Sequence, residues 1–262
     1  MSPLKAIDQY CQQLRLPTIR QAVSEALALA QQQNWPPEEF LRYLLEEELT
    51  QRRLRRIERH LRESRLPPGK TLAQFDQQRL PLRLQRQLPE LVRGQVIAAS
   101  GNILLFGRPG TGKTHLAAAL GHEWVQNGYR VLFTPTFKLV EGLLRAKQEH
   151  DLERELKRLD RFQAVILDDF GYVQQSRQEM EVLFTFLAER YERRSVVITS
   201  NLVFSQWDQI FKDPLTTAAA IDRVVHHSRI LEFGPEMTSL RAEQAAQRHQ
   251  AQAETTSAEM AS

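Results

Sequence analysis

The sequence predicts an α/β protein with a parallel sheet covered on both faces by helices, preceded by a small all-helical domain. Three observations point there. Short apolar runs alternate with helix-prone segments from residue 102 to residue 233, the pattern of repeated βαβ units. The first run, Ile103-Leu104-Leu105-Phe106, is continuous rather than alternating, as in a strand buried on both faces. Residues 4–61 instead carry apolar positions at helical spacing.

Within the helical region, Ile19, Val23, Ala26, Leu27 and Ala30 share one face, and Pro17 divides a short first helix from a longer second one. Trp35-Pro36-Pro37-Glu38-Glu39 starts a third helix, with proline at the first position and acids in the first turn. Phe40, Leu41, Leu44, Leu45 and Leu49 form its apolar face, continued loosely by Leu54, Ile57 and Leu61. The break Leu66-Pro67-Pro68-Gly69-Lys70 marks a domain boundary. The expected organisation is a helical domain over 1–69, an α/β domain over 70–241, and a disordered or frayed tail over 242–262.

Residues 71–101 lead to the first strand through Phe75-Asp76, a short helix near 81–87 and another near 89–99. Further strands are expected at 129–133, 164–167, 195–199 and 229–233, making five. Helices are expected at 136–147, 151–160 and 218–225.

The chain has 262 residues, 42% hydrophobic, with a net charge of +3. No apolar run is long enough to span a bilayer, and the N-terminus lacks a signal-type apolar region, so a cytoplasmic protein with no membrane partner is expected. Cys11 is the only cysteine, which excludes an intrachain disulfide and a multi-cysteine zinc site; it reads as a buried small hydrophobe. Charge is uneven: residues 1–93 carry +5 and residues 94–262 carry −2. The run Arg52, Arg53, Arg55, Arg56, Arg59, Arg62, Arg65 reads equally as a solvated face and as a contact surface for the phosphates of DNA.

The chemistry centres on Gly107-Arg108-Pro109-Gly110-Thr111-Gly112-Lys113-Thr114-His115. It fits G-x-x-x-x-G-K-[ST] between a buried strand and the helix-prone Leu116–Leu120. Glycines let backbone amides approach phosphate oxygens, and the positive end of the following helix faces the same anion. Lys113 would reach the β- and γ-phosphates, and Thr114 would take one Mg²⁺ position. Asp168-Asp169 ends the third strand: Asp168 suits the metal, and Asp169 either orients the attacking water or ends the strand as an acidic turn. At the end of the fourth strand, Asn201 reads as a γ-phosphate sensor or a turn residue. Arg223, before the fifth strand, could cancel charge on a transferred phosphate, often in a neighbouring subunit, or form an intrahelical or core-edge salt bridge with a neighbouring carboxylate. His226-His227 is not expected to bind metal, because adjacent histidines on a helix point apart and no third ligand is spaced nearby.

With these residues in place, the chain resembles the IstB-like ATP-binding proteins, helper ATPases of bacterial insertion sequences related to helicase loaders within the AAA+ class of P-loop NTPases. The resemblance rests on G-R-P-G-T-G-K-T-H at 107–115, I-L-D-D-F-G-Y at 166–172, I-T-S-N-L at 198–202, A-I-D-R-V-V-H-H-S at 220–228 and T-S-L-R at 238–241, with L-R-L-P at 14–17 and K-T-L-A-Q-F-D at 70–76. It implies an AAA+ type fold, binding of ATP with Mg²⁺, homo-oligomers on double-stranded DNA, and recruitment or stimulation of a transposase. By position it makes Lys113 and Thr114 Walker A residues, Asp168 and Asp169 the Walker B pair, Asn201 the sensor and Arg223 the arginine finger. Arg241 becomes a further nucleotide-contacting arginine, in a motif that reads S-L-R where relatives commonly have S-Y-R.

The implied function is a DNA-stimulated ATPase that assists transposition. Two alternatives stay open: a replicative helicase loader, and an ATP-switched DNA-binding scaffold with little need for hydrolysis, since many AAA+ ATPases carry glutamate where Asp169 stands. A metabolic kinase is disfavoured, as no lid or acceptor pocket is evident.

Overall fold

The computed structural model describes residues 2–171, 176–202, 206–207 and 214–234. The chain divides into two compact units, the first ending at Arg59 and the second beginning at His60.

The first unit holds α1 (Pro3–Gln13), α2 (Pro17–Gln33) and α3 (Pro37–Ser64) up to Arg59. Prolines open all three helices, where a missing N–H costs nothing. Cys11, Ile19, Val23, Ala26 and Leu44 are buried together, with Ile7, Leu16, Leu27, Phe40 and Tyr43 around them. No local side chain caps α2. Its amides at Thr18 and Ile19 donate instead to Glu48 Oε2 on α3, at 2.8 and 3.2 Å. Arg52 Nε donates to Glu48 Oε1 at 2.7 Å, and Arg52 also reaches the Arg15 carbonyl. Burial pushes the Glu48 carboxyl up, but the bonds from Arg52, Ile19 and Thr18 outweigh it and hold the group below the ordinary glutamate value.

The second unit is a five-stranded parallel sheet in the order β2-β3-β4-β1-β5. Its strands are β1 (Asn102–Gly107), β2 (Val131–Pro135), β3 (Ala164–Asp168), β4 (Ser195–Ser200) and β5 (Ser228–Phe233). Among the described residues its further α-helices are α4 (Leu82–Arg93), α5 (Gln95–Ala98), α6 (Lys113–Gln126), α7 (Thr136–Gln148), α8 (Leu152–Leu159), α9 (Arg177–Arg190) and α10 (Pro214–Val225). β1, β3 and β4 are buried along nearly their whole length, as their unbroken apolar runs predict. The core gathers residues such as Leu104, Phe106, Leu143, Val165, Leu167, Phe170, Leu183, Phe186, Ile198 and Trp207. Arg190 is buried in this unit and donates to the carbonyls of Leu159, Phe162 and Ser195 at 3.2, 2.9 and 2.9 Å. Burial pulls its pKa down to about 9, so it keeps its charge at neutral pH.

The structure moves three boundaries. Of the two short helices expected near 81–87 and 89–99, the first runs on through Pro89 as α4, and the break before α5 falls at Gly94, whose φ of 74° ends the helix. β2 starts at Val131 rather than Tyr129, because Tyr129 N–H closes a turn onto the Trp124 carbonyl and Arg130 N–H donates to Gln163 Oε1. The proline-rich break at 66–70 packs with the second unit: Leu66 is buried, and the Pro67 carbonyl bonds His122 Nε2 at 3.1 Å. The expected tail over 242–262 lies outside the described residues.

Candidate functional site: the phosphate-binding loop and its surroundings

In a parallel sheet all strands end at one edge, and the site forms there. β1 pairs with β4 up to Phe106 and Ser200, and with β5 up to Gly107 and Phe233. β4 lies between β1 and β3, so its end stands between the glycine-rich loop and Asp168.

Gly107 leaves β1 at φ 155°, and a Cβ there would lie 2.6 Å from Phe233 Cβ and 2.8 Å from its carbonyl oxygen. Gly110 and Gly112 take φ of 82° and 99°, values that side chains disfavour. Gly112 is the N-cap of α6, and no side chain caps that helix. The first-turn amides therefore have no helical partner and, with the helix dipole, form an anion cradle. Lys113 is buried, and its ammonium donates to the carbonyls of Gly107 at 2.7 Å and Arg108 at 2.8 Å. Thr111 Oγ1 donates to the Arg108 carbonyl at 2.9 Å, which closes the loop on itself. Arg108 and Pro109 are exposed at its tip, and Thr114 is half-buried. This amide-rich loop, with one lysine inside, fits a polyphosphate. His115 is engaged away from the loop: its Nε2 lies 3.1 Å from the Thr71 carbonyl, and its ring stands edge-on to Phe75 at 5.2 Å.

Asp168 is buried at the end of β3. Its Oδ1 accepts the Thr199 hydroxyl at 2.6 Å, and its carbonyl accepts the Thr136 hydroxyl at 2.9 Å. Thr199 Oγ1 in turn accepts the Asp169 N–H at 3.1 Å, while the Thr199 carbonyl accepts the Phe170 N–H at 2.8 Å. Asp169 is exposed at φ 55°, a left-handed turn residue. A carboxylate fixed at the end of a buried strand is a hard oxygen donor of the kind that suits a divalent cation such as Mg²⁺, and the Thr114 hydroxyl in the first turn of α6 is an oxygen donor of the same type. Asn201 follows β4, half-buried, in a turn closed by Ser200 Oγ, which accepts from Leu202 N–H and donates to the Leu202 carbonyl. Beneath the strand ends, buried Trp207 packs on Phe170 at 4.8 Å and Phe106 at 6.3 Å.

The structure does not bring Arg223 into this constellation. It lies two residues before the end of α10, and Asn102 Nδ2, where β1 begins, donates to the neighbouring Val224 carbonyl at 3.0 Å. Arg223 thus sits at the starting edge of the strands. The run of β1 from Asn102 to Gly107 separates the two edges by about 17 Å. Its guanidinium stacks over Phe184 at 4.5 Å, and the buried Nη1 has no hydrogen-bond partner among the described residues. The alternative of an intrahelical or core-edge salt bridge does not occur among the described residues. Arg241 lies outside them.

Three contributors were not singled out from the sequence. Thr199 organises the Asp168 carboxylate, Thr136 holds its backbone, and Phe75 packs on the start of α6. A buried hydroxyl at the end of the apolar run Val196-Val197-Ile198 was the available signal for Thr199, since such a group needs a partner.

Comparison with known proteins agrees with this geometry. Residues 9–247 match the family described as IstB-like ATP binding protein. An insertion sequence ATP-binding protein of Sinorhizobium fredii is 46% identical over 237 residues, covering 90% of this chain and 80% of that protein. Among solved structures, the DnaC helicase loader superposes with a TM-score of 0.51 at 18% identity, over 67% of this chain and 99% of that one. DnaA from Aquifex aeolicus, solved with AMPPCP, gives 0.51 at 21% identity, over 65% of this chain and about half, 51%, of the DnaA chain. These likenesses carry the fold, an AAA+ P-loop architecture. From the loop at 107–114, the sheet order and the match over 9–247, the chain belongs to the IstB-like ATP-binding proteins.

Proposed function

We propose that this protein is an ATPase of insertion-sequence transposition that assembles on duplex DNA and recruits or stimulates a transposase. Family membership supports the transposition setting. The observation that carries the cooperative part is the separation of Arg223 from its own loop: an arginine at the opposite edge of the sheet, with a buried N–H unpaired among the described residues, can serve phosphate chemistry only in a neighbouring subunit.

In this reading the amides of residues 108–114 and the Lys113 ammonium hold the phosphates of ATP. Lys113 exchanges the carbonyls of Gly107 and Arg108 for phosphate oxygens. Thr114 and Asp168 hold Mg²⁺, which supplies positive charge to the phosphate oxygens when bound. Asp169 accepts the proton of the attacking water, Asn201 hydrogen-bonds the terminal phosphate, and a neighbour's Arg223 offsets the charge that develops. The exposed guanidinium groups of Arg53, Arg56 and Arg59 contact DNA phosphates.

The test is hydrolysis measured with and without duplex DNA, on the wild type and on mixtures of variants. Lys113→Ala and Arg223→Ala are each expected to be inactive alone. Mixed, they pair an intact Lys113 with an intact Arg223 at some interfaces and regain part of the activity. Failure to recover any activity refutes completion by a neighbour, and absence of hydrolysis under every DNA condition refutes the ATPase itself. Stable association with a replicative helicase instead of a transposase would favour the loader reading, which the DnaC-like fold keeps in view.

A further inference from the structure

The turn from α9 into β4 and the turn from α10 into β5 come together at the edge where the strands begin. Glu192 lies in the first turn, and His226 and His227 lie in the second. One ligand-capable atom from each of the three falls within 4.8 Å of the other two. Glu192 Oε1 is 3.4 Å from His227 Nε2 and 4.0 Å from His226 Nδ1, and the Tyr191 hydroxyl is 2.9 Å from the same Nδ1. The expectation from sequence that His226 and His227 diverge along a helix does not hold. α10 ends at Val225, both histidines sit in the turn, and their ring centroids are 4.2 Å apart. The third ligand arrives from the preceding βαβ connection, which sequence spacing does not reveal.

We propose that Glu192, His226 and His227 form a binding site for a divalent first-row transition ion, with Zn²⁺ the best chemical match. Two imidazole nitrogens and one carboxylate oxygen are a common zinc donor set, and such three-ligand sites leave a fourth position to water or another ligand. Bonds of about 2.0–2.1 Å in a tetrahedral arrangement space the donor atoms by about 3.3 Å. The Glu192–His227 pair already stands at that spacing, whereas His226 Nδ1, 4.0 Å from Glu192, would exchange its Tyr191 hydroxyl partner for the ion. The site opens on a cleft of about 610 Å³, with Glu90 and Arg229 at its rim. Those two pair with each other at 2.9 Å, and Glu192, His226 and His227 are exposed and line the same cleft. Mg²⁺ prefers an all-oxygen shell, so this site and the one at Asp168 select different ions. An ion here ties the end of α10, which carries Arg223, to the α9–β4 turn.

The experiment uses the full chain without nucleotide, in buffer containing excess Mg²⁺. Co²⁺ is followed by its visible absorption and Zn²⁺ by calorimetry. The expected result is saturable binding of one ion per chain with the absorption of a four-coordinate site. Affinity falls at least about tenfold in His227→Ala and in Glu192→Gln, and stays unchanged in His150→Ala, which alters an exposed histidine elsewhere. Circular dichroism monitors folding; should His227→Ala unfold, the conservative Glu192→Gln decides. Absence of saturable binding, or equal affinity in Glu192→Gln and wild type, overturns the proposal and leaves the cluster as a surface histidine–glutamate pair.

Discussion

Thr199 donates its hydroxyl to Asp168 Oδ1 at 2.6 Å and accepts the Asp169 N–H at 3.1 Å. One buried side chain on β4 thereby sets the carboxylate that ends β3 and the backbone of the acid after it. Thr199→Val keeps the shape and removes both bonds. Turnover is expected to fall by about 100-fold, since small misplacements of a reacting group have that effect. The loss of stability should be only about 1–2 kcal/mol. Thr199→Ser restores the hydroxyl and should keep most of the activity. Steady-state hydrolysis beside thermal melts separates the two effects, and a Val variant with wild-type turnover would remove Thr199 from the site.

Binding and hydrolysis should separate between Lys113 and Asp169. Lys113→Ala deletes the cation in the loop, so ATP should no longer raise the melting temperature. Asp169→Asn leaves the loop intact, so the ATP-induced shift should persist while hydrolysis falls by about 10²- to 10⁴-fold. An Asn variant that hydrolyses normally would assign Asp169 to the turn alone, and one that hydrolyses poorly yet supports full transposition would favour the scaffold reading.

Gly107→Ala places a Cβ 2.6 Å from Phe233 Cβ and 2.8 Å from the Phe233 carbonyl. Both obstacles belong to a paired neighbouring strand, so the expected cost is about 3 kcal/mol, from overpacking against backbone. Phe233→Ala keeps both atoms and should not rescue it. Denaturant titration of the single and double variants checks this.

Glu48 is buried and caps α2 from α3. Its pKa is held below the ordinary value of 4.5. A carboxylate depressed in the folded state contributes stability that is full above its unfolded pKa and is lost as pH falls through the folded one. The first unit should therefore lose helix stability below about pH 4.5. Glu48→Gln should cost about 1–2 kcal/mol at neutral pH and flatten that acid dependence. Helix content followed against pH for the two proteins provides the measurement.

Replacing Arg53, Arg56 and Arg59 together by alanine should weaken binding to duplexes of any sequence and make it less sensitive to salt. The slope of log K against log[salt] should shallow by about 0.9 for each DNA phosphate that the variant no longer neutralises. Identical slopes for wild type and triple variant would make this a solvated face.

Much of the second unit was legible in the sequence because its inner strands, β1, β3 and β4, are buried on both faces. Ile103–Phe106, Ala164–Leu167 and Ser195–Thr199 needed no tertiary information to stand out. Gly107–Thr114 was equally legible, since every group needed for phosphate binding is contiguous there. The break expected between residues 87 and 89 falls elsewhere: α4 continues through Pro89 and ends at Gly94, because the buried face of Leu84, Leu88 and Leu91 holds its turns together.

By itself the sequence determined the α/β class, the phosphate loop, the Asp168-Asp169 pair and the helical first unit, because each is written in neighbouring residues. Only the tertiary structure decided that β4 lies between β1 and β3, and so that Thr199 grips Asp168. It also decided that Glu48 caps a helix 30 residues away, that Arg223 stands across the sheet from its own loop, and that Glu192 joins His226 and His227. Strand order and the meeting of distant turns arise from packing the whole chain, and local spacing carries no record of them.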